Sequence, residues 1–126
     1  YEFKYIRDHK GQVRNPDTLK GRRICLLSSI GDPASFKKMV SSLGAQIAAS
    51  ISYPDHYGYR KKDIFEIEQL CLREGVDTVV TTEKDFVRLP YGDFRRRVKI
   101  SVLGVELKII NNEKEFINRI SGVFAG

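Results

Sequence analysis

The sequence predicts an α/β domain, a Rossmann-like and mainly parallel sheet flanked by helices, preceded by an N-terminal β-hairpin linker. Three observations carry that prediction. Strand and helix patterns alternate as strand, helix, strand, helix, strand between residues 23 and 81, at the spacing of right-handed crossovers. The third strand pattern is apolar throughout, as in a strand covered by helices on both faces. The chain is 126 residues long, enough for one core that needs no disulfide or metal staple.

The opening segment alternates apolar and polar residues through Phe3, Tyr5 and Val13, with Lys10 and Gly11 as the turn, and reads as a hairpin. It begins at residue 1 without cap, turn or methionine, as if taken from a longer chain. After Asn15-Pro16-Asp17, residues 23–28 form an apolar strand. Pro33 then opens a helix whose inner face is Phe36, Met39, Val40 and Leu43, and Gly44 stops it. Residues 46–53 are the second strand, and residues 60–73 a helix with Ile64, Ile67, Leu70 and Cys71 on one face, closed by Gly75. Residues 76–81 are the third strand. Two more strands are expected at 98–103 and 106–110, and Asn111-Asn112 is expected to lead into a last helix with Phe116, Ile117 and Ile120 inward. On this reading residues 1–20 are a hairpin and linker and residues 21–126 the α/β domain.

Composition excludes several classes. Hydrophobic residues are 41% and charged residues 30%, the usage of an ordinary globular domain. The apolar runs at 24–27 and 102–103 fall far short of the ~20 residues that span a bilayer, and no charged-then-apolar leader is read at the start. Cys25 and Cys71 lack metal-ligand spacing and are expected to be reduced core thiols. A net charge of +6, with Arg95, Arg96 and Arg97 consecutive, favours anionic partners. The arginine run is expected to be a solvated turn, and few aromatic residues interleave with it to stack bases, so nucleic acid is not an expected partner.

In such sheets ligands sit beyond the carboxyl ends of the strands, where all three strands end in polar clusters. The first runs into Ser28-Ser29-Ile30-Gly31-Asp32-Pro33. Gly31 allows a tight turn, and the following helix either offers N–H groups to an anion or is simply capped by Asp32. The second ends at Tyr53-Pro54-Asp55-His56-Tyr57-Gly58-Tyr59, where the imidazole of His56 can take a proton or hold a carboxylate, with Asp55 beside it; a solvated loop is the alternative. The third ends at Thr81-Thr82-Glu83-Lys84-Asp85. Thr82 and Asp85 form a capping box there, and Lys84 can also meet an anion. His9 belongs to the hairpin turn. No Gly-rich phosphate loop and no metal-ligand cluster is present in the sequence.

Taken together, Ser29-Ile30-Gly31-Asp32-Pro33-x-x-Phe36, Tyr53-Pro54-Asp55-His56-x-x-Tyr59 and Thr81-Thr82-Glu83-Lys84-Asp85-x-x-Arg88-Leu89, with Leu43-Gly44 and Asp63 between them, resemble the C-terminal half of the tetraacyldisaccharide 4'-kinase family. The resemblance implies an ATP- and magnesium-dependent lipid kinase of lipid A biosynthesis, acting on the 4'-hydroxyl of the disaccharide precursor. It implies a cytoplasmic enzyme peripheral to the anionic inner membrane. ATP and Mg2+ would be held mainly by an N-terminal P-loop domain absent from this chain, toward which the 1–20 hairpin would lead. His56 would reach across the cleft to an aspartate of that domain and Asp55 would orient it, while Gly31, Thr82, Glu83, Lys84 and Asp85 would line the cleft near the nucleotide. The chain departs from the family at Ser29, where glycine or alanine is usual, and at Tyr57, where a second histidine often stands. A non-catalytic nucleotide- or phosphate-binding module is the competing expectation.

Overall fold

The computed structural model describes residues 2–90, 92, 94, 98–111 and 114–119. Among the described residues seven strands form one sheet, β1 (Glu2–Arg7), β2 (Val13–Arg14), β3 (Arg23–Ser28), β4 (Gln46–Ser52), β5 (Thr78–Thr82), β6 (Lys99–Asn111) and β7 (Lys114–Arg119). The helices are α1 (Pro33–Ser42), α2 (Lys61–Glu74) and the single turn α3 (Glu83–Phe86), with a 3-10 turn at Pro16–Leu19. The spatial order is β2-β1-β6-β5-β3-β4, with β7 on β6. β4, β3, β5 and β6 run parallel, whereas β1, β2 and β7 pair antiparallel.

The two crossovers run in opposite directions across the sheet. Through α1 the chain steps to β4, and through α2 it returns past β3 to β5. The order therefore reverses between β3 and β5, the place where doubly wound sheets open a ligand crevice. Alternation along β3 serves both layers. Cys25 and Leu27 pack with Ile64, Ile67 and Cys71 of α2, while Ile24 and Leu26 pack with Phe36 and Val40 of α1. Both cysteines are free and buried.

Local signals explain the helix ends. Pro33 begins α1 behind Asp32, whose side chain accepts from Ser35 N. Gly75 ends α2 at φ 67°, a left-handed cap that glycine adopts without a Cβ penalty. In the hairpin, the Asp8 carboxylate accepts from Lys10 N at 2.9 Å and Gln12 N at 3.0 Å. This Asx-type turn holds the tip that carries the exposed His9.

Two expectations are corrected. The strands expected at 98–103 and 106–110 are one strand, β6. Gly104, which looks like a break, is a strand position paired with Tyr5, and a Cβ there would overlap the Tyr5 ring. The last helix is instead β7, paired with β6 from Glu106↔Arg119 to Asn111↔Lys114. Asn-Asn between two short apolar runs signals a chain reversal as readily as a helix start, and the open half of β6 supplies the pairing partner. Ile120 and the Arg95, Arg96 and Arg97 run lie outside the described residues.

Candidate functional site

The polar clusters after β3, β4 and β5 converge on one sheet edge, beside the reversal point. Asp85 is its buried centre, with no exposed surface. Its Oδ1 accepts from Ser29 N at 3.0 Å, from the Ser29 hydroxyl and from Tyr59 OH at 3.2 Å, and its Oδ2 accepts from Thr82 Oγ1 at 2.7 Å. Thr82 Oγ1 in turn accepts from Asp85 N at 3.1 Å, closing the cap of α3. One carboxyl group thus fastens the ends of β3 and β5 to the loop leading into α2. Burial, with Asp85 nearby, pushes the Tyr59 phenol upward and keeps it a donor.

Glu83 is buried beside it and faces the hairpin. Arg7 donates from Nε to Glu83 Oε1 at 2.6 Å and from Nη2 to Oε2 at 2.8 Å, a two-pronged pair, with its guanidinium carbon 4.7 Å from the Phe86 ring centre. Hydrogen bonding to Glu83 raises the Arg7 pKa further. Glu83 and Asp85, candidates for lining the cleft, have their carboxyl groups engaged inside the domain. Lys84, between them, is exposed, and Thr82 is half-buried.

The outer rim is the loop after β4. His56 holds φ 62°, the only positive φ at a non-glycine among the described residues. A left-handed residue in a polar loop at a strand end is a recurrent feature of functional sites. The His56 side chain is 73% exposed, with Nε2 3.8 Å from Asp55 Oδ2, too far for a hydrogen bond. Its Nδ1 lies 2.9 Å from Nη2 of Arg88. Asp55 also faces the first loop, for a Cβ on Gly31 would lie 3.7 Å from Asp55 Oδ2. Gly31, Asp55, His56 and Arg88 are therefore neighbours at the rim.

The helix start after Gly31 is capped rather than open. Asp32 accepts from Ser35 N at 3.1 Å and from Ser35 Oγ at 2.5 Å, so a carboxylate occupies the place an anion would take. Ser29, where the family usually has glycine or alanine, supplies two of the bonds to Asp85, one from its backbone and one from its hydroxyl. Tyr57 turns inward, stacking on Tyr53 with ring centres 4.5 Å apart and donating toward Asp63 at 3.0–3.1 Å. Burial, with Asp63 nearby, pushes the Tyr53 phenol up to about 12. Arg88 is the rim residue whose contact sequence reading misses. It belongs to the run from Thr81 to Leu89, but nothing in its spacing shows that it reaches a loop 32 residues away.

Among the described residues no three His, Cys, Asp or Glu side chains gather to hold a metal ion. With Glu83 and Asp85 engaged internally, the edge does not fit magnesium by itself. No described helix is long and apolar enough to cross a membrane.

Comparison with known proteins points one way. Residues 2–125 match the family described as Tetraacyldisaccharide-1-P 4'-kinase. A Tetraacyldisaccharide 4'-kinase of Gluconobacter oxydans is 46% identical over 90 residues, covering 71% of this chain and 26% of that protein. Those of Halothermothrix orenii and Methylorubrum extorquens strain PA1 are 32% and 42% identical, covering 74% and 75% of this chain. The chain spans only 25% and 28% of those two relatives' own lengths. A crystal structure of LpxK from Aquifex aeolicus in complex with ATP superposes with a TM-score of 0.55 at 22% identity, covering 93% of this chain and 31% of that one, which supports the fold.

Proposed function

The chain belongs to the Tetraacyldisaccharide-1-P 4'-kinase family, and from that premise we propose that it is the C-terminal domain of an ATP-dependent lipid kinase. The parent enzyme phosphorylates the 4'-hydroxyl of the tetraacyldisaccharide 1-phosphate precursor of lipid A. It works in the cytoplasm, peripheral to the inner membrane, with ATP and magnesium held mainly by an N-terminal P-loop domain. Residues 1–20 lead toward that domain and residues 21–126 complete the cleft.

The observation that carries this reading is the rim of the sheet edge. His56 is presented by a left-handed backbone at the carboxyl end of a parallel sheet, with Asp55, Gly31 and Arg88 around it. A histidine so placed can cross a cleft to an aspartate of the other domain and help that carboxylate take the sugar hydroxyl proton as the oxygen attacks the γ-phosphorus. Gly31, Thr82 and Lys84 then face the nucleotide side, while Glu83 and Asp85 hold the edge that presents them.

Phosphoryl transfer depends on positioning and on stabilising charge, so a domain with neither phosphate loop nor magnesium site is inactive alone. The test is ATP-dependent phosphorylation of the disaccharide by the 126-residue chain beside the full-length parent. Only the parent should turn over, and turnover by the chain alone contradicts the reading. A second reading, a non-catalytic nucleotide- or phosphate-binding module, is favoured by the exposed Lys84 at the edge. Saturable ATP binding by the chain that disappears in Lys84→Ala would support it.

A further inference from the structure

We infer that Arg88 is a positioning residue that fixes the tautomer of His56, so that the ring meets its partner through an Nε2–H donor. The inference deepens the reading that this edge completes a kinase cleft and rests on it. A guanidinium carries donors only and stays protonated, so the 2.9 Å contact from Arg88 Nη2 requires Nδ1 of His56 to be the acceptor. In the neutral ring the proton then sits on Nε2.

The surroundings make this a built arrangement. Arg88 follows α3, and its backbone N–H donates to the backbone carbonyl of Asp85 at 3.0 Å, so the residue is anchored to the turn that carries the fully buried Asp85. His56 is held from the other side by its left-handed backbone, and Asp55 lies 3.8 Å from Nε2, near enough to favour a proton on that nitrogen and too far to capture it. The ring thus presents one N–H toward the open side of the cleft. A carboxylate facing it receives a hydrogen bond in place of surrendering its role as proton acceptor. The hydroxyl proton goes to that carboxylate, since Nδ1 is occupied by Arg88 and Nε2 already carries hydrogen.

Two variants separate the outcomes. Arg88→Glu replaces the donor by an acceptor and should move the proton to Nδ1, whereas Arg88→Lys keeps a charged donor and should keep Nε2–H. Ring-15N histidine NMR on the chain, in mildly alkaline buffer and with His9 assigned through His56→Ala, reads the tautomer without reference to activity. Amide spectra check that the fold survives, as expected for a half-exposed side chain. In the full-length parent, kcat should fall about 10- to 100-fold in Arg88→Glu, the range for a group that orients a functional histidine. KM should stay within about threefold, Arg88→Lys should recover most of the loss, and Arg88→Glu should add nothing to His56→Ala. An unchanged 15N pattern in Arg88→Glu overturns the inference. A flipped tautomer with unchanged kcat, where His56→Ala does lower kcat, overturns its catalytic consequence. A flipped tautomer with His56→Ala also silent upholds the tautomer control and removes the kinase-cleft reading beneath it.

Discussion

At the scale of single residues, the sheet edge divides into a buried anchor and an exposed rim, and the two respond differently to substitution. Asp85 gathers hydrogen bonds from Ser29, Tyr59 and Thr82 with no exposed surface. Asp85→Ala leaves those donors unpaired and should cost ~3 kcal/mol of stability by urea titration, whereas Ser29→Ala, which keeps the backbone donor, should cost ~1 kcal/mol. The sequence shows Thr82 capping α3 because that signal is local, although Asp85 answers to the Thr82 hydroxyl and not to its backbone N–H as a full capping box would. It does not show that the same carboxyl accepts from Ser29, 56 residues away, because only the crossover through β3 and β5 brings them together. The contact between Arg88 and His56, 32 residues apart, escaped sequence reading for the same reason.

At the scale of elements, the link between hairpin and edge is the Arg7–Glu83 pair, both residues buried. Removing one partner strands a charge, so Arg7→Ala should destabilise by about 3–5 kcal/mol. Converting the pair to Arg7→Met with Glu83→Leu should restore most of that stability, and the double-mutant cycle checks it. The pair fixes the orientation of β1, hence of the segment proposed to lead to the other domain. The cap of α1 gives a pH prediction. Hydrogen bonds from the Ser35 side chain and backbone hold Asp32 below its ordinary value of 3.8. A carboxylate with a depressed folded pKa stabilises above its ordinary range and loses that contribution as pH falls through the depressed value. Asp32→Asn keeps an N-cap that does not titrate, so its urea midpoint should fall less than that of the native chain as pH drops below about 4. Strand and helix alternation from residue 23 to 82 was legible because period, glycine caps and Pro33 agree there. At the C-terminal end a short apolar pattern fits either period, and pairing with β6 decides for the strand β7.

At the scale of the whole molecule, a sheet reversing between β3 and β5 carries its polar loops on one side, and the chain spans about a quarter of its relatives' length. In the proposed reading, the domain presents His56 toward a cleft whose opposite wall, with ATP and magnesium, belongs to the rest of the enzyme. That proposed division accounts for an edge rich in positioned side chains that gathers no metal site among its described residues. The most direct test is the 4'-kinase kcat of the full-length parent carrying His56→Ala, with the fold checked by circular dichroism. A fall of about 10²–10⁴-fold with the fold intact is the predicted result. An unchanged kcat would contradict the account, leaving His56 a loop residue and this domain a scaffold.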